Sequence, residues 1–208
     1  MVVRPIIVLL SIGSAFAQQP QPPSVTEKWH FFLDETFDPL TPLAGAYGAS
    51  VSEATRSEPD YGVGARSLAE RFGAGLADIA SQNFFQDFLM ASVLHEDTRY
   101  RRKGPEYGGV WKRAGYALAS AFVTHTDSGG RTPNWANLLG TALSTGLSNV
   151  YYPPQDRRVG PIAARYGMNV AGIGLGALLP EFWPDFHNLL LRHHLIPHRH
   201  GTTGTVQP

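Results

Sequence analysis

Two short clusters combine side chains that can ligate a metal or move protons. They are His95-Glu96-Asp97 and His125-Thr126-Asp127. Neither has the i, i+4 histidine spacing of a helical zinc site, so a ligand set requires the fold to bring both clusters together. On that interpretation His95, Asp97, His125 and Asp127 are candidate metal ligands, with Glu96 as the general base of a metal-dependent hydrolase. The alternative is that these residues belong to helix ends and turns.

A basic segment follows the first cluster. Its members are Arg99, Tyr100, Arg101, Arg102 and Lys103. Cations beside an aromatic side chain predict an anion-binding site, and phosphorylated lipid headgroups or acidic glycans of the cell envelope are suitable anions. The alternative is that these cations pair with the acidic N-terminal region around Asp34, Glu35 and Asp38.

Other sequence features argue against an enzyme. The chain has no nucleotide-binding loop, and Ser128-Gly129-Gly130 lacks the context of a nucleophile elbow and reads as a turn. It contains no cysteine, which excludes disulfides and thiolate metal sites. Five of the eight histidines lie between His187 and His200, where weak metal binding is the most that their density indicates. We therefore predict no catalytic residue and no cofactor.

The N-terminus has the pattern of an export signal. Arg4 gives a positive start, Ile6 to Leu10 begin a short apolar stretch, and Ala15-Phe16-Ala17 matches a signal-peptidase site. The sequence predicts a signal peptide over residues 1–17 and an exported protein, periplasmic or peripherally attached to the cell envelope. With 17 basic and 17 acidic residues, the balanced charge argues against a nucleic-acid partner.

The remaining chain predicts a single all-α domain. Residues 18–23 form a Pro/Gln-rich spacer, residues 24–196 a helical domain, and residues 197–208 a disordered tail. Apolar periodicity predicts about six to seven amphipathic helices and no strand. Start and stop signals place N-termini at Ser24, at Thr41-Pro42, at Thr132-Pro133 and at Pro184, a helix over Val110 to Thr124, and an end at Pro180.

Glycine, alanine and serine recur on these helices and raise the question of a membrane. Small residues permit close helix packing, in a domain core or in a bilayer. A membrane-inserted hairpin made of Trp135 to Tyr152 and Ile162 to Leu179 is one interpretation. Asn137, Ser144 and other polar residues lie opposite the leucines of the first segment, and this two-sided pattern favours a packed soluble or peripheral bundle.

Several sequence blocks resemble a known group as a set. The blocks are His95-Glu96-Asp97-Thr98-Arg99-Tyr100 with Arg102-Lys103-Gly104, Phe122-Val123-Thr124 running into Asp127-Ser128-Gly129, Ser148-Asn149-Val150-Tyr151-Tyr152-Pro153, and Glu181-Phe182-Trp183-Pro184-Asp185. In this order they resemble a group of uncharacterised short exported bacterial envelope proteins. The resemblance implies export and one domain, and carries no activity.

The function we expect is therefore non-enzymatic binding or scaffolding at the membrane surface. The first alternative is the membrane-inserted helical hairpin, and the second is the metal-dependent hydrolase. The partners that the sequence suggests are an anionic lipid or glycan of the envelope and a second copy of the chain in a homo-oligomer.

Overall fold

The first helix begins at the capping box that the sequence predicts. In the computed structural model, which describes residues 22–192, helix α1 spans Val25–Thr36. The Ser24 hydroxyl accepts a hydrogen bond from the Glu27 amide at 3.2 Å, and the Glu27 carboxylate accepts one from the Ser24 amide at 2.7 Å. The predicted signal peptide and the predicted tail lie outside the described residues, as does all of the spacer but its last two positions.

Helices α2 (Thr41–Thr55) and α3 (Ala65–Asn83) pack against each other. The predicted cap at Thr41 was one residue late, because Leu40 is the N-cap and Thr41 is already helical. The loop between the two helices is held by the buried Arg71 guanidinium. It donates hydrogen bonds to the carbonyl oxygens of Ser57, Pro59 and Gly62.

Helix α3 continues into a π-helical segment, Phe84–Met90, which is followed by the short helix α4, Ala91–Leu94. A π-helix closes its hydrogen bonds at i to i+5 and occurs often at functional sites. The segment packs against the next long helix, where the Gln86 side-chain amide donates to the Thr141 hydroxyl at 2.6 Å. Gly140 permits this approach, since a Cβ there would lie 2.8 Å from the Gln86 backbone nitrogen.

A small antiparallel sheet corrects the prediction of no strands. Its strands are β1 (Glu96–Asp97), β2 (Val123–Thr126) and β3 (Arg131–Pro133), in that spatial order. The helix predicted to reach Thr124 is α5 (Val110–Ala119), which ends five residues earlier. After α5 the chain forms β2, whose backbone hydrogen-bonds to both β1 and β3. The Thr124 hydroxyl also donates a hydrogen bond to the Asp97 carbonyl at 2.6 Å. Long-range pairing outweighs the local helical period.

Three further helices complete a single, mostly helical domain, as predicted. They are α6 (Trp135–Ser148), α7 (Val159–Gly176) and α8 (Leu178–Arg192). Asn134 caps α6, so the cap predicted at Thr132-Pro133 was wrong, because those residues belong to β3. The boundaries predicted at Pro180 and Pro184 were also wrong, since both prolines lie inside α8. Glu181 lies between the two prolines, and its carboxylate forms an ion pair with Arg113 Nε at 2.7 Å.

Candidate functional site

The β1–β2 pairing brings together the two clusters predicted as metal ligands. Asp97 is opposite His125, and Glu96 is opposite Thr126. The Asp127 amide also donates to the His95 carbonyl at 2.8 Å. The fold therefore supplies the proximity of the two segments that a ligand set requires.

The side chains of those clusters nevertheless have other partners. The Asp97 carboxylate binds two arginines, the Asp127 carboxylate binds Lys28 Nζ at 2.8 Å, and the His95 side chain is 83% exposed. The buried Glu96 carboxylate accepts a hydrogen bond from the Ala136 amide at 2.8 Å and so caps α6. Across residues 22–192 no three histidine or acidic side chains form a group that could hold a metal. This geometry gives no support to the metal-dependent hydrolase.

The basic segment is held by carboxylates of this chain. Arg99 Nε lies 2.8 Å and Arg101 Nη2 3.0 Å from the Asp97 carboxylate, and Arg102 Nη2 lies 3.0 Å from Asp185 Oδ1. The Lys103 ammonium lies 4.7 Å from the centre of the Tyr116 ring. The predicted cationic residues therefore meet internal partners, which differ from the predicted Asp34, Glu35 and Asp38.

The centre of this charge network is Glu181, whose side chain is fully buried. Its carboxylate accepts hydrogen bonds from four donors: the Tyr100 hydroxyl at 2.8 Å, the Lys103 and Gly104 amides at 2.9 and 3.0 Å, and Arg113 Nε at 2.7 Å. Burial is the largest single influence and would raise the pKa of Glu181, but the donors together lower that pKa to about 2. Glu181 thus joins the basic segment and α5 to α8.

Beside this network lies a cavity of about 500 Å³. Its walls come from α1, the end of α3, the π-helical segment, the basic segment, β2 and the ends of α5, α6, α7 and α8. The charged and ionisable residues that line it are Glu35, Asp87, Arg99, Tyr100, Arg101, Tyr116 and His125. Sequence analysis named five of these seven for other roles. It gave Asp87 and Tyr116 none, because the helical patterns around both residues suggested only packing.

Three titratable groups that line the cavity, Asp87, Glu35 and His125, have displaced pKa values. Burial raises the pKa of the Asp87 carboxyl to about 7, with a further contribution from the negative charge of Glu35, while the Thr98 hydroxyl acts in the opposite direction. Burial likewise raises the pKa of Glu35, which lies at the exposed rim. The pKa of His125 is lowered by burial and then by nearby cations, of which Arg101 has the largest effect.

Helix α6 presents its apolar side outward, opposite to the burial expected for a soluble bundle. Its buried residues are small or polar: Ala136, Asn137, Gly140, Thr141, Ser144, Thr145 and Ser148. Its exposed large residues are Trp135, Leu139, Leu143 and Leu147, at 42 to 49% exposure, and after the helix Val150 at 73%. Helix α6 therefore has one polar side and one apolar side, as predicted, but the polar side packs against the protein and the apolar side is exposed.

An apolar groove of about 570 Å³ lies between α5, α6 and α7, and Leu138 is the residue of α6 that lines it. Leu118, Phe122 and Leu175 line it and are 43, 56 and 59% exposed. We define the apolar face as these three residues with Trp135, Leu139, Leu143, Leu147 and Val150. Among residues 22–192, the continuous α7–α8 stretch Val159–Leu190 is long and apolar enough to cross a membrane by length and composition.

No protein-family model, no curated protein and no solved structure matches this chain. The resemblance to exported envelope proteins therefore stays a prediction, and the functional argument depends on the geometry of the chain itself.

Proposed function

We propose that this protein binds at a membrane surface, with the apolar face in the interfacial region of the bilayer and the polar cavity available for binding. The observation that carries the proposal is the inverted burial of α6. A water-facing helix normally buries its leucines, whereas α6 buries Asn137, Thr141 and Ser144 and exposes Leu139 and Leu143. Contiguous exposed apolar surface of this kind marks an interaction site.

The length and packing of α6 and of the α7–α8 stretch support a protein that lies on the membrane surface more than one that spans the bilayer. Helix α6 spans Trp135–Ser148, a length of about 21 Å, against the ~30 Å of a hydrocarbon core. Its inner side packs against α3 and the π-helical segment, so lipid cannot surround it. The α7–α8 stretch carries Glu181 and Asp185, whose ion pairs with Arg113 tie it to the domain. Helices α6 and α7, which overlap the two segments of the predicted hairpin, pack against each other, and α6 also packs against the rest of the domain.

The expected affinity for a lipid bilayer can be calculated from the exposed leucines. Full burial of a leucine side chain contributes about 2 to 3 kcal/mol, so moving the exposed part of Leu139 or Leu143, each 44% exposed, into lipid contributes about 1 kcal/mol. The whole apolar face then supplies at most about 8 kcal/mol, which corresponds to a dissociation constant of about 1 µM. The ordering of side chains and the loss of free motion reduce this affinity.

Flotation with neutral phosphatidylcholine vesicles tests the proposal. The protein should float with vesicles even at high salt, because the apolar face requires no anionic headgroup. The double variant Leu139→Gln, Leu143→Gln should lose about 2 kcal/mol of binding, or roughly 30-fold in partitioning. Its fold should persist because both side chains already face outward.

The matched control is Leu43→Gln on α2, where the leucine is 65% exposed but α2 packs against α3 and lies outside the apolar face. This variant should float like the unchanged protein. If the unchanged protein forms a dimer that the double variant abolishes, and neither protein floats, then a second copy covers the apolar face and the membrane proposal is overturned.

The cell envelope is the membrane that we propose, because of the export signal predicted over residues 1–17. Fractionation should recover a chain that begins near Gln18 with the envelope membranes, and N-terminal sequencing would identify the cleavage point. Recovery of the intact chain in the cytoplasm would contradict this location.

A further inference from the structure

Ionisable groups of two kinds line the cavity beside β2. Asp87 and Glu35 form an acidic pair, and neither carboxyl group forms an ion pair within residues 22–190, whose side chains the structure describes. Arg101 and His125 form a basic pair. Burial is the largest influence on the pKa of both Asp87 and His125, and the charges that act next are those of Glu35 on Asp87 and of Arg101 on His125, which indicates that the members of each pair lie near one another.

The acidic pair is not balanced by the arginines that line the same cavity. Arg99 and Arg101 are both bound to Asp97. A carboxyl group taken partly out of water without a counter-charge is destabilising. Asp87 also lies on the π-helical segment, a less favourable conformation than the α-helix. The unbalanced carboxyl groups and the π-helical segment both reduce stability, and their occurrence at one cavity indicates that the cavity serves a function.

The basic pair retains hydrogen-bond donors. Arg101 uses Nη2 for the Asp97 carboxylate at 3.0 Å, and its Nε and Nη1 donate no hydrogen bond within residues 22–190. A guanidinium has five N–H donors and suits a second carboxylate. The His125 ring lines the same cavity and has no hydrogen bond to the described residues; because burial and nearby cations lower its pKa, the ring is neutral near pH 7 and offers an N–H donor instead of a charge.

We propose that this cavity binds a small zwitterion, an amino acid or short peptide, with its ammonium group at Asp87 and Glu35 and its carboxylate at Arg101 and His125. A volume of about 500 Å³ lies within the usual range for small-molecule sites and accommodates a dipeptide. The amide side chains of Gln82 and Asn137 line the same cavity and can hydrogen-bond the peptide group between the two charges. This proposal does not depend on membrane binding.

Calorimetric titration with three matched probes tests the proposal. L-alanyl-L-alanine has both charges, its N-acetyl derivative lacks the ammonium group, and its C-terminal amide lacks the carboxylate. The titration is done at about pH 7.5, above the pKa of about 7 of Asp87 and below the ~7.7 to 8.0 of an α-amino group, so that more than half of each group is charged. The zwitterion should bind at least ~10-fold more tightly than either blocked probe, since each lost charge pair removes a charge-assisted hydrogen bond.

The variant Asp87→Asn separates a binding role from a structural one. It should lose the preference for the free ammonium group, keep the preference for the free carboxylate, and be at least as stable as the unchanged protein, because it removes a carboxylate that has no ionic partner of its own. Asp34→Asn is the control, since Asp34 is exposed on the same helix as Glu35 and does not line the cavity.

Three results would overturn the proposal. One is equal affinity for all three probes, and another is no saturable binding of L-alanyl-L-alanine up to roughly 10 mM, beyond the range of specific recognition. The third is Asp87→Asn binding the free ammonium group as before. A vesicle experiment that fails while the titration succeeds would remove the membrane proposal and leave this one intact.

Discussion

Replacement of Glu181 by glutamine is the perturbation whose size the structure determines best. Glutamine has nearly the same volume but brings an amide nitrogen to a site where the carboxylate accepts hydrogen bonds from Tyr100, Lys103, Gly104 and Arg113. At least one donor then faces another donor in a fully buried position.

Two independent estimates of the stability lost in Glu181→Gln agree. The pKa of Glu181 falls from 4.5 to about 2 on folding, and this shift corresponds to about 3 kcal/mol of stability. Removal of one partner of a buried ion pair costs about 3 to 5 kcal/mol, and Arg113 is left with Asp185 as its ionic partner. Glu181→Gln should therefore lower the free energy of unfolding by about 3 kcal/mol, and the melting temperature by about 10 °C for a domain of this size.

The dependence on acid provides a second measurement of the same interaction. Because the pKa of Glu181 is lower in the folded protein, its contribution is complete above pH 4.5 and is lost as the pH falls through about 2. Glu181→Gln should lack this part of the acid sensitivity. Urea unfolding at several pH values measures both effects, with the exposed Glu106→Gln as the control. A loss below about 1 kcal/mol for Glu181→Gln would refute the assignment of Glu181 as the centre of the network.

Two further predictions concern packing and the basic segment. Gly140→Ala should cost about 1 to 3 kcal/mol, because its Cβ would lie 2.8 Å from the Gln86 backbone, whereas Gly146→Ala, with nothing within 4 Å, should be neutral or stabilising in urea unfolding. The triple replacement of Arg101, Arg102 and Lys103 by glutamine should lower stability by roughly 1 to 2 kcal/mol and leave flotation with vesicles of anionic lipid unchanged. Lost flotation at unchanged stability would restore the free anion site.

The sequence predicted helices well where local signals decide the structure. The Ser24 capping box and the period of α6 are both present as predicted. Periodicity shows that a helix has two different sides, but it does not show which side turns inward, since the pattern is identical in both cases. The burial of Thr141 and Ser144 therefore required the tertiary structure.

Long-range partners explain the other differences. Strand β2 lies where an apolar helical pattern continues past Ala119, because its ladder bonds come from residues elsewhere in the chain. Glu181 and Arg113 are 68 positions apart, and no local spacing relates them. The cavity has the same origin, since Asp87 and His125 come from separate elements. The sequence shows which residue types are present, but it does not show that these residues lie close together in the fold.

The π-helical segment makes this protein tolerant of a shorter chain at one place. Each π-helical hydrogen bond encloses one more residue than its α-helical equivalent, so Phe84–Met90 can be converted to α-helix by deleting one amino acid. The helical stretches on either side would stay close to their present register, because the π-helical segment already absorbs the extra residue. Side chains inside the segment would be repositioned, so Asp87 would lose its place in the cavity, whereas Ala91, whose carbonyl binds Lys28, would stay near its position. A lost codon between residues 84 and 90 should therefore damage the fold less than one in α6, where the same deletion turns the rest of the helix by about 100°.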